Sequence, residues 1–530
     1  MATKRRLSTL FVLAGTVAGL IAGVAPAATA TPTRAPERVV GLDLDSATIP
    51  DLQARMGQGR LSAVALTLAY LERIRRIDDK LNSVLAVNPH AVADAAASDV
   101  RRRHGGARSA LEGIPVLLKD NINTVRQPAT AGSRALLKAK AERDAELVRR
   151  LKAAGAVIIG KANLSEWANF RSTNSSSGWS AVGGQNNNPY VLDRNPCGSS
   201  SGSGSAIAAS LAQVAIGTET DGSIVCPSGA NGVVGIKPTL GLVSRSGVVP
   251  LSLQQDTAGP MARHVIDSAI TLAVLQGRDP SDPATLEIPA GQPRDYTAGL
   301  SPNGLQGKRI GVWRLAGASA ETDAIVQSAV EALQAAGATP VEVELRHQEE
   351  AGEPEFTALL AEFKHDINAY LAATPGRHPA DLAGLIAFNI ADPVELRFFG
   401  QEIFEAAQAS PPVDDPSIMA ARQTATSLQR LAIDEALAEN DLDAIMAPTN
   451  SPAWRTTLGQ GDAFVLGSSS PAAVSGYPNI SVPAGFAGPL PVGVSFFGAR
   501  WNELGLIRIA YAFEQATHVR MAPQYIPSIG

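Results

Sequence analysis

Residues 196–229 read PCGSSSGSGSAIAASLAQVAIGTETDGSIVCPSG, and this stretch decides how the rest of the chain is read. A Ser/Gly run usually marks a flexible linker. Here the run opens into AIAASLAQVAIG, an apolar segment interrupted only by Ser210 and Gln213. A linker would join two polar edges, whereas this one leads into something buried. A second cluster follows the apolar segment: Gly217-Thr218-Glu219-Thr220-Asp221-Gly222-Ser223. Glycine permits positive φ and close backbone approach, so successive N–H groups can converge on one point. Two serine-bearing turns bracketing one buried element point to an active site made of backbone and hydroxyls.

A serine nucleophile needs a base. The histidine nearest in sequence is His264, well beyond the second cluster. Lysine is the next candidate, provided burial keeps it neutral. Gly113-Ile114-Pro115-Val116-Leu117-Leu118-Lys119-Asp120 supplies one at the end of an apolar, strand-like run. A lysine taken alone is far more often solvated. Its pairing with the serine clusters argues otherwise. Lys161, in GKANLSEW, competes for the role and is read as structural or substrate-side.

GIPVLLKDNI, GSSSGSGSA and GTETDGSIVCP, in this order, resemble the amidase signature family, whose chemistry rests on a Ser-Ser-Lys triad. The resemblance implies Lys119 as base, Ser199 as bridging serine and Ser223 as nucleophile, with a cis peptide before Ser199. It further implies that the backbone N–H groups of Thr220, Asp221, Gly222 and Ser223 hold an oxyanion while a carboxamide is hydrolysed through an acyl-enzyme. No cofactor and no metal are expected. Cys197 replaces the first glycine of the family's G-G-S-S, and Val225 replaces an arginine common two residues after the nucleophile. The variant CGSSSG with TETDGSIVCP and VSRSGVVP is similar to the peptide amidase branch, which removes ammonia from C-terminally amidated peptides. A general amidase acting on small aliphatic or aryl amides is the alternative.

Three other readings compete. Gly198-Ser199-Ser200-Ser201-Gly202 matches the G-x-S-x-G nucleophile elbow, with Ser200 as nucleophile. That motif needs a buried strand before it, and YVLDRNPC is too polar and proline-broken to supply one. A non-catalytic binding protein of the same fold is opposed by the intact Lys119, Ser199 and Ser223 set. The amidotransferase subunit that acts on charged transfer RNA resembles the same family, but it would need a cytosolic address.

The N-terminus argues against that address. Lys4, Arg5 and Arg6 precede an apolar run from Leu10 to Val24, and Ala28-Thr29-Ala30 then forms an A-x-A cleavage signal. Residues 1–30 are therefore read as a signal peptide, by the general or the twin-arginine route, and 31–45 as a short tail of a secreted or periplasmic protein. The run is shorter than the ~20 residues a membrane span needs, so no stable membrane insertion is expected after processing. The chain has 530 residues, a net charge of −5 and no later basic run, which argues against nucleic acid. A small-molecule or peptide amide is the expected partner, and a monomer is favoured. Cys197 and Cys226 flank the two serines, and both a disulfide and two buried thiols are compatible with that spacing.

Outward from the signature, apolar strands alternate with helical patterns. Val84–Val87, Val157–Ile159, KRIGVWR and Thr339–Leu345 read as strands; so do DAIMAPT, NISVPAG and GPLPVGVSFFG. From Ser62, Val64, Leu68, Leu71, Ile74 and Ile77 recur at helical spacing, with Arg73, Arg75 and Arg76 placed opposite. The expected fold is α/β: a large, mostly buried mixed sheet covered by helices on both faces, forming a single domain over 46–525. Residues 350–440 read as a helical insertion that shapes the pocket, and the polar 170–190 loop lines the cleft, with Ser175 as a substrate-contact candidate.

Overall fold

Pro115–Lys119 lies parallel to Val214–Glu219, with Leu117 opposite Ala215, so the lysine run and the strand that ends at the second cluster are neighbours. The protein is described by a computed structural model over residues 38–39, 41–315 and 317–530. The proposed signal peptide and the first part of the tail fall outside these residues.

One large sheet carries eleven strands. In chain order they are β1 (Val84–Val87), β2 (Pro115–Lys119), β3 (Val157–Ala162), β4 (Val214–Glu219), β5 (Val234–Lys237) and β6 (Thr257–Ala262). Then come β7 (Arg309–Val312), β8 (Thr339–Glu342), β9 (Ala444–Pro448), β10 (Asn479–Ala487) and β11 (Leu490–Phe497). Across the sheet the order is β8-β7-β9-β11-β10-β5-β6-β4-β2-β3-β1. β2 pairs in parallel with both β3 and β4, whereas β6 runs antiparallel to β4 and β5, so the sheet is mixed. Every residue of β2, β3, β4, β5, β6 and β9 is buried. Side chains alternate between the faces of a strand. Uninterrupted burial therefore means that both faces are covered, as an α/β sheet requires.

The apolar segment after the first serine cluster is two elements rather than one. Ser201–Ala208 is a helix, Ser210 turns the chain at φ 54, and β4 follows. SGSGS has poor helix propensity, but every residue of this helix is buried, and packing overrides the local preference. The Ala63–Leu81 helix starts where Ser62 caps it, its hydroxyl accepting from Ala65 N at 3.0 Å. Ile74 and Ile77 are buried and Arg75 and Arg76 exposed, as expected, but two positions differ. Leu68 is 49% exposed, whereas Arg73 is 2% exposed. Arg73 reaches inward to Ala209 O at 2.8 Å and Asp45 Oδ1 at 2.9 Å.

Gln348–Ala373, Leu382–Ala391, Glu402–Ala409 and Pro416–Asn440 form the helical insertion. Phe363 and Phe404 pack with Trp167, Phe170, Val249 and Leu251 in a second apolar core. Phe363 lies 5.3 Å from Phe170 and 5.1 Å from Phe404 between ring centroids. The insertion thus sits on the segments that follow β3 and precede β6.

Leu42 and Leu44 are buried in the main core, and Ile526 exchanges backbone hydrogen bonds with Tyr190 and Leu192. Among the described residues, no helix is long and apolar enough to cross a membrane.

Candidate active site

β2 ends at Lys119, which is fully buried. Its Nζ lies 2.7 Å from Ser199 Oγ, 2.9 Å from Thr218 Oγ1 and 3.1 Å from Thr218 O. Asn121 Nδ2 donates to the same Thr218 hydroxyl at 2.9 Å. Burial pulls the ammonium down to about 7, against the opposing fields of Asp256 and Glu219. Lys119 can therefore give up its proton near neutral pH.

Lys161, one strand over, is engaged elsewhere. It donates to Ile122 O and stands 3.9 Å from Asp120 Oδ1. Burial pulls it down to about 8.

Ser199 follows a cis Gly198–Ser199 peptide and is fully buried. Its carbonyl accepts from Ser165 N at 3.0 Å. Ser200 N donates to Ser223 O at 3.1 Å, so the two serine clusters run side by side. Ser200 itself is fully buried, and its Oγ donates to Thr218 O at 3.0 Å and accepts from Thr218 N at 3.1 Å. No strand leads into it. Ser200 splints its loop to β4, and the nucleophile-elbow reading fails on both counts.

The second cluster is a tight turn held from three sides. Gly222 adopts φ 78, a conformation other residues reach only under strain. Glu219 Oε2 accepts from Ile224 N at 2.7 Å and Val225 N at 3.0 Å, fixing the start of the helix Val225–Ala230. Asp221 accepts from Ser469 Oγ at 2.5 Å and Ser470 Oγ at 2.7 Å. Thr220 Oγ1 donates to Asp256 Oδ1 at 2.5 Å, and Thr220 O accepts from Gln255 Nε2 at 3.0 Å. Among the described residues, the N–H groups of Thr220, Asp221, Gly222 and Ser223 meet no protein acceptor. Ser223 is 7% exposed. A pocket beside this turn is lined by Asn121, Trp167, Thr218, Thr220, Val249 and Leu251 among others.

Cys197 and Cys226 form a disulfide, buried against Ala230 and Trp454. Ser175 is 7% exposed, its hydroxyl without a partner among the described residues. No hydrogen bond joins it to Lys119, Ser199 or Ser223 among those residues. The 170–190 loop is fixed where Ser177 N donates to Asp462 at 3.0 Å and where Trp179 packs on Phe398 and Phe399. Among the described residues no group of three or more His, Cys, Asp or Glu side chains is placed to hold a metal.

Sequence reasoning missed the residues that hold the turn. The sequence pattern does not show that the Glu219 and Asp221 carboxylates grip Ile224 N, Val225 N, Ser469 and Ser470. Ser469 and Ser470 belong to a third serine run, GSSSP at 467–471, which was the available signal. Gln255 offered none.

The model of the family described as Amidase matches residues 65–507. A probable amidase of Arabidopsis thaliana is 41% identical over 500 residues, covering 91% of this chain and 92% of that protein. The crystal structure of the native peptide amidase from Stenotrophomonas maltophilia is 49% identical, with a TM-score of 0.86 over 91% of this chain and 99% of that one. A structure of the peptide amidase PAM in complex with the competitive inhibitor chymostatin is likewise 49% identical, with a TM-score of 0.88 over 91% of this chain and 100% of the other.

Proposed function

The chain belongs to the amidase family, whose members hydrolyse amide C–N bonds, and from that premise we propose that it is an exported enzyme that releases ammonia from C-terminal peptide amides. Lys119, neutral through burial, takes a proton from Ser199, and Ser199 takes one from Ser223. The Ser223 oxygen attacks the amide carbon. The N–H groups of Thr220, Asp221, Gly222 and Ser223 receive the developing oxyanion, each such donor being worth about 3 kcal/mol in the transition state. The proton then returns through Ser199 to the departing nitrogen, which leaves as ammonia. Water repeats the cycle, frees the acid and restores Ser223.

The observation that carries this reading is Lys119 Nζ at 2.7 Å from Ser199 Oγ, in a loop whose next residue is hydrogen-bonded to Ser223. The substrate class is supported by likeness to the peptide amidases. Export is supported by the N-terminal segment and by the Cys197–Cys226 disulfide, since disulfides persist in oxidising compartments.

The test incubates purified enzyme with a dipeptide amide, its N-methyl amide and a peptide-extended analogue. Ammonia from the dipeptide amide, with no cleavage of the other two, is expected. Turnover of simple aliphatic or aryl amides with none of the dipeptide amide would replace the substrate class with the general amidase. Ser223→Ala is expected to abolish turnover, and undiminished activity there would remove the nucleophile assignment.

A further inference from the structure

We infer that the Cys197–Cys226 disulfide is a positioning element for the reaction, holding the relay serine and the nucleophile at their working separation. The inference rests on the assignment of Ser199 and Ser223 proposed above. Cys197 stands two residues before Ser199, and Cys226 three after Ser223. Their Cα atoms are 6.0 Å apart, and the bond is the only disulfide among the described residues. A backbone hydrogen bond also joins the two segments: Ser200 N donates to Ser223 O at 3.1 Å. Chain, hydrogen bond and disulfide therefore close a ring of eight residues, 197–200 and 223–226, that contains Ser199 and Ser223.

Non-covalent bonds also tie the two segments together. Asn231 Nδ2 donates to Pro196 O and Pro227 O, both at 2.7 Å, and so ties the two segments outside the ring. Cys226 N donates to Gly222 O at 2.8 Å, which couples the sulfur to the turn bearing the oxyanion donors. Cys197 N donates to Asn195 Oδ1 at 2.8 Å, anchoring the other end. Each cysteine is thus rigidly joined to one serine loop, and the covalent bond passes that rigidity from one loop to the other. Transfer between two hydroxyls is steeply sensitive to their separation, and a displacement of about 1 Å can cost about a hundredfold in rate.

Two forms of the full-length mature enzyme test this. In the first, the disulfide is reduced under native conditions, and mass spectrometry after alkylation counts the opened thiols. In the second, Cys197→Gly is combined with Cys226→Ala. The glycine suits the φ of 57 found at Cys197, so the variant introduces no backbone strain. In both forms kcat on a peptide amide is expected to fall by about a hundredfold, with KM within about threefold and the far-UV spectrum unchanged. Reoxidation of the reduced form restores kcat. Retention of kcat within about twofold in either form overturns the inference. Unfolding of both forms at the assay temperature also overturns it, because the bond would then support the whole fold and not the site. Labelling of the oxidised enzyme with a covalent serine reagent separates the two levels. An adduct on Ser223 together with an active reduced form refutes the disulfide's role alone, whereas an adduct elsewhere refutes the catalytic assignment beneath it.

Discussion

At the scale of single residues, the proposed chemistry depends on one amine being uncharged. Burial holds Lys119 near 7, while an unfolded lysine titrates near ~10.4. Between those values the unfolded chain binds the extra proton, so stability attributable to this residue rises with pH there and is at its lowest below about 7. Catalysis follows the same titration: kcat/KM on a peptide amide is expected to rise through about pH 7 as the base is released. Lys119→Met removes both effects. The variant should lose at least about a hundredfold in turnover while denaturing in urea no earlier than the parent at neutral pH. A pH–rate profile whose acid limb survives in this variant would assign that limb to another group. The buried placement of Lys119 was legible not from the apolar run alone, since most lysines are solvated, but from that run set beside the serine clusters. Cys197 was only half legible. It sits at φ 57, where a side chain costs about 1–3 kcal/mol and glycine does not. The sequence displays the missing glycine but not the bond that offsets its absence.

At the scale of elements, the helices of residues 348–440 reach the Thr220–Ser223 turn through a polar chain. Arg422 on Pro416–Asn440 donates to both oxygens of Glu362 on Gln348–Ala373, at 2.7 and 2.6 Å, and to Gln255 Oε1 at 2.8 Å. Gln255 in turn donates to Thr220 O and to Glu355 Oε1, at 3.0 and 2.7 Å. The Arg422 and Glu362 side chains are 13% and 3% exposed, so the pair is scarcely screened by water. Arg422→Ala leaves a nearly buried carboxylate without its cation, and a loss of about 3–5 kcal/mol is expected in a urea titration. Replacing both members, Glu362→Gln with Arg422→Met, should recover most of that loss, because no unpaired charge then remains. A double variant as unstable as Arg422→Ala would show that the cost lies in packing. That residues 350–440 are largely helical is a local property, and the sequence carries it. The local pattern could not locate this chain of contacts, in which Arg422 meets Gln255 across 167 positions. The same limit explains the Ala63–Leu81 helix: charge alone put Arg73 outside, whereas Asp45 and Ala209 O draw it in.

At the scale of the whole molecule, the alternation of strand and helix announced an α/β sheet, but the strand order was beyond its reach. β10 and β11 at positions 479–497 lie between β9 and β5, an insertion of late chain into the middle of the sheet that no local pattern encodes. A sheet so thoroughly covered confines acids as well as bases. Burial lifts Asp256 and Asp267 to about 6, and Glu514 and Glu355 to about 7. For a carboxyl whose folded value is raised, the folded state binds more protons between the unfolded value of about 4 and the folded one. Stability from these groups is therefore present at low pH and is lost as pH rises through about 6 to 7. His264 opposes them, because burial lowers it to about 3 and its contribution grows as pH rises toward the unfolded value of about 6.5. Four raised carboxyls outweigh one lowered imidazole, and the urea midpoint is expected to fall between pH 5 and pH 7. Glu514 isolates the cause. Its Oε1 accepts from Val265 N at 3.0 Å, a bond that a neutral amide can keep. Glu514→Gln should leave the midpoint near the parent's at pH 5 and raise it above the parent's at pH 7, flattening the slope. An unchanged slope would mean that the Glu514 carboxylate finds enough water or counter-charge in the fold to ionise as it does in the open chain.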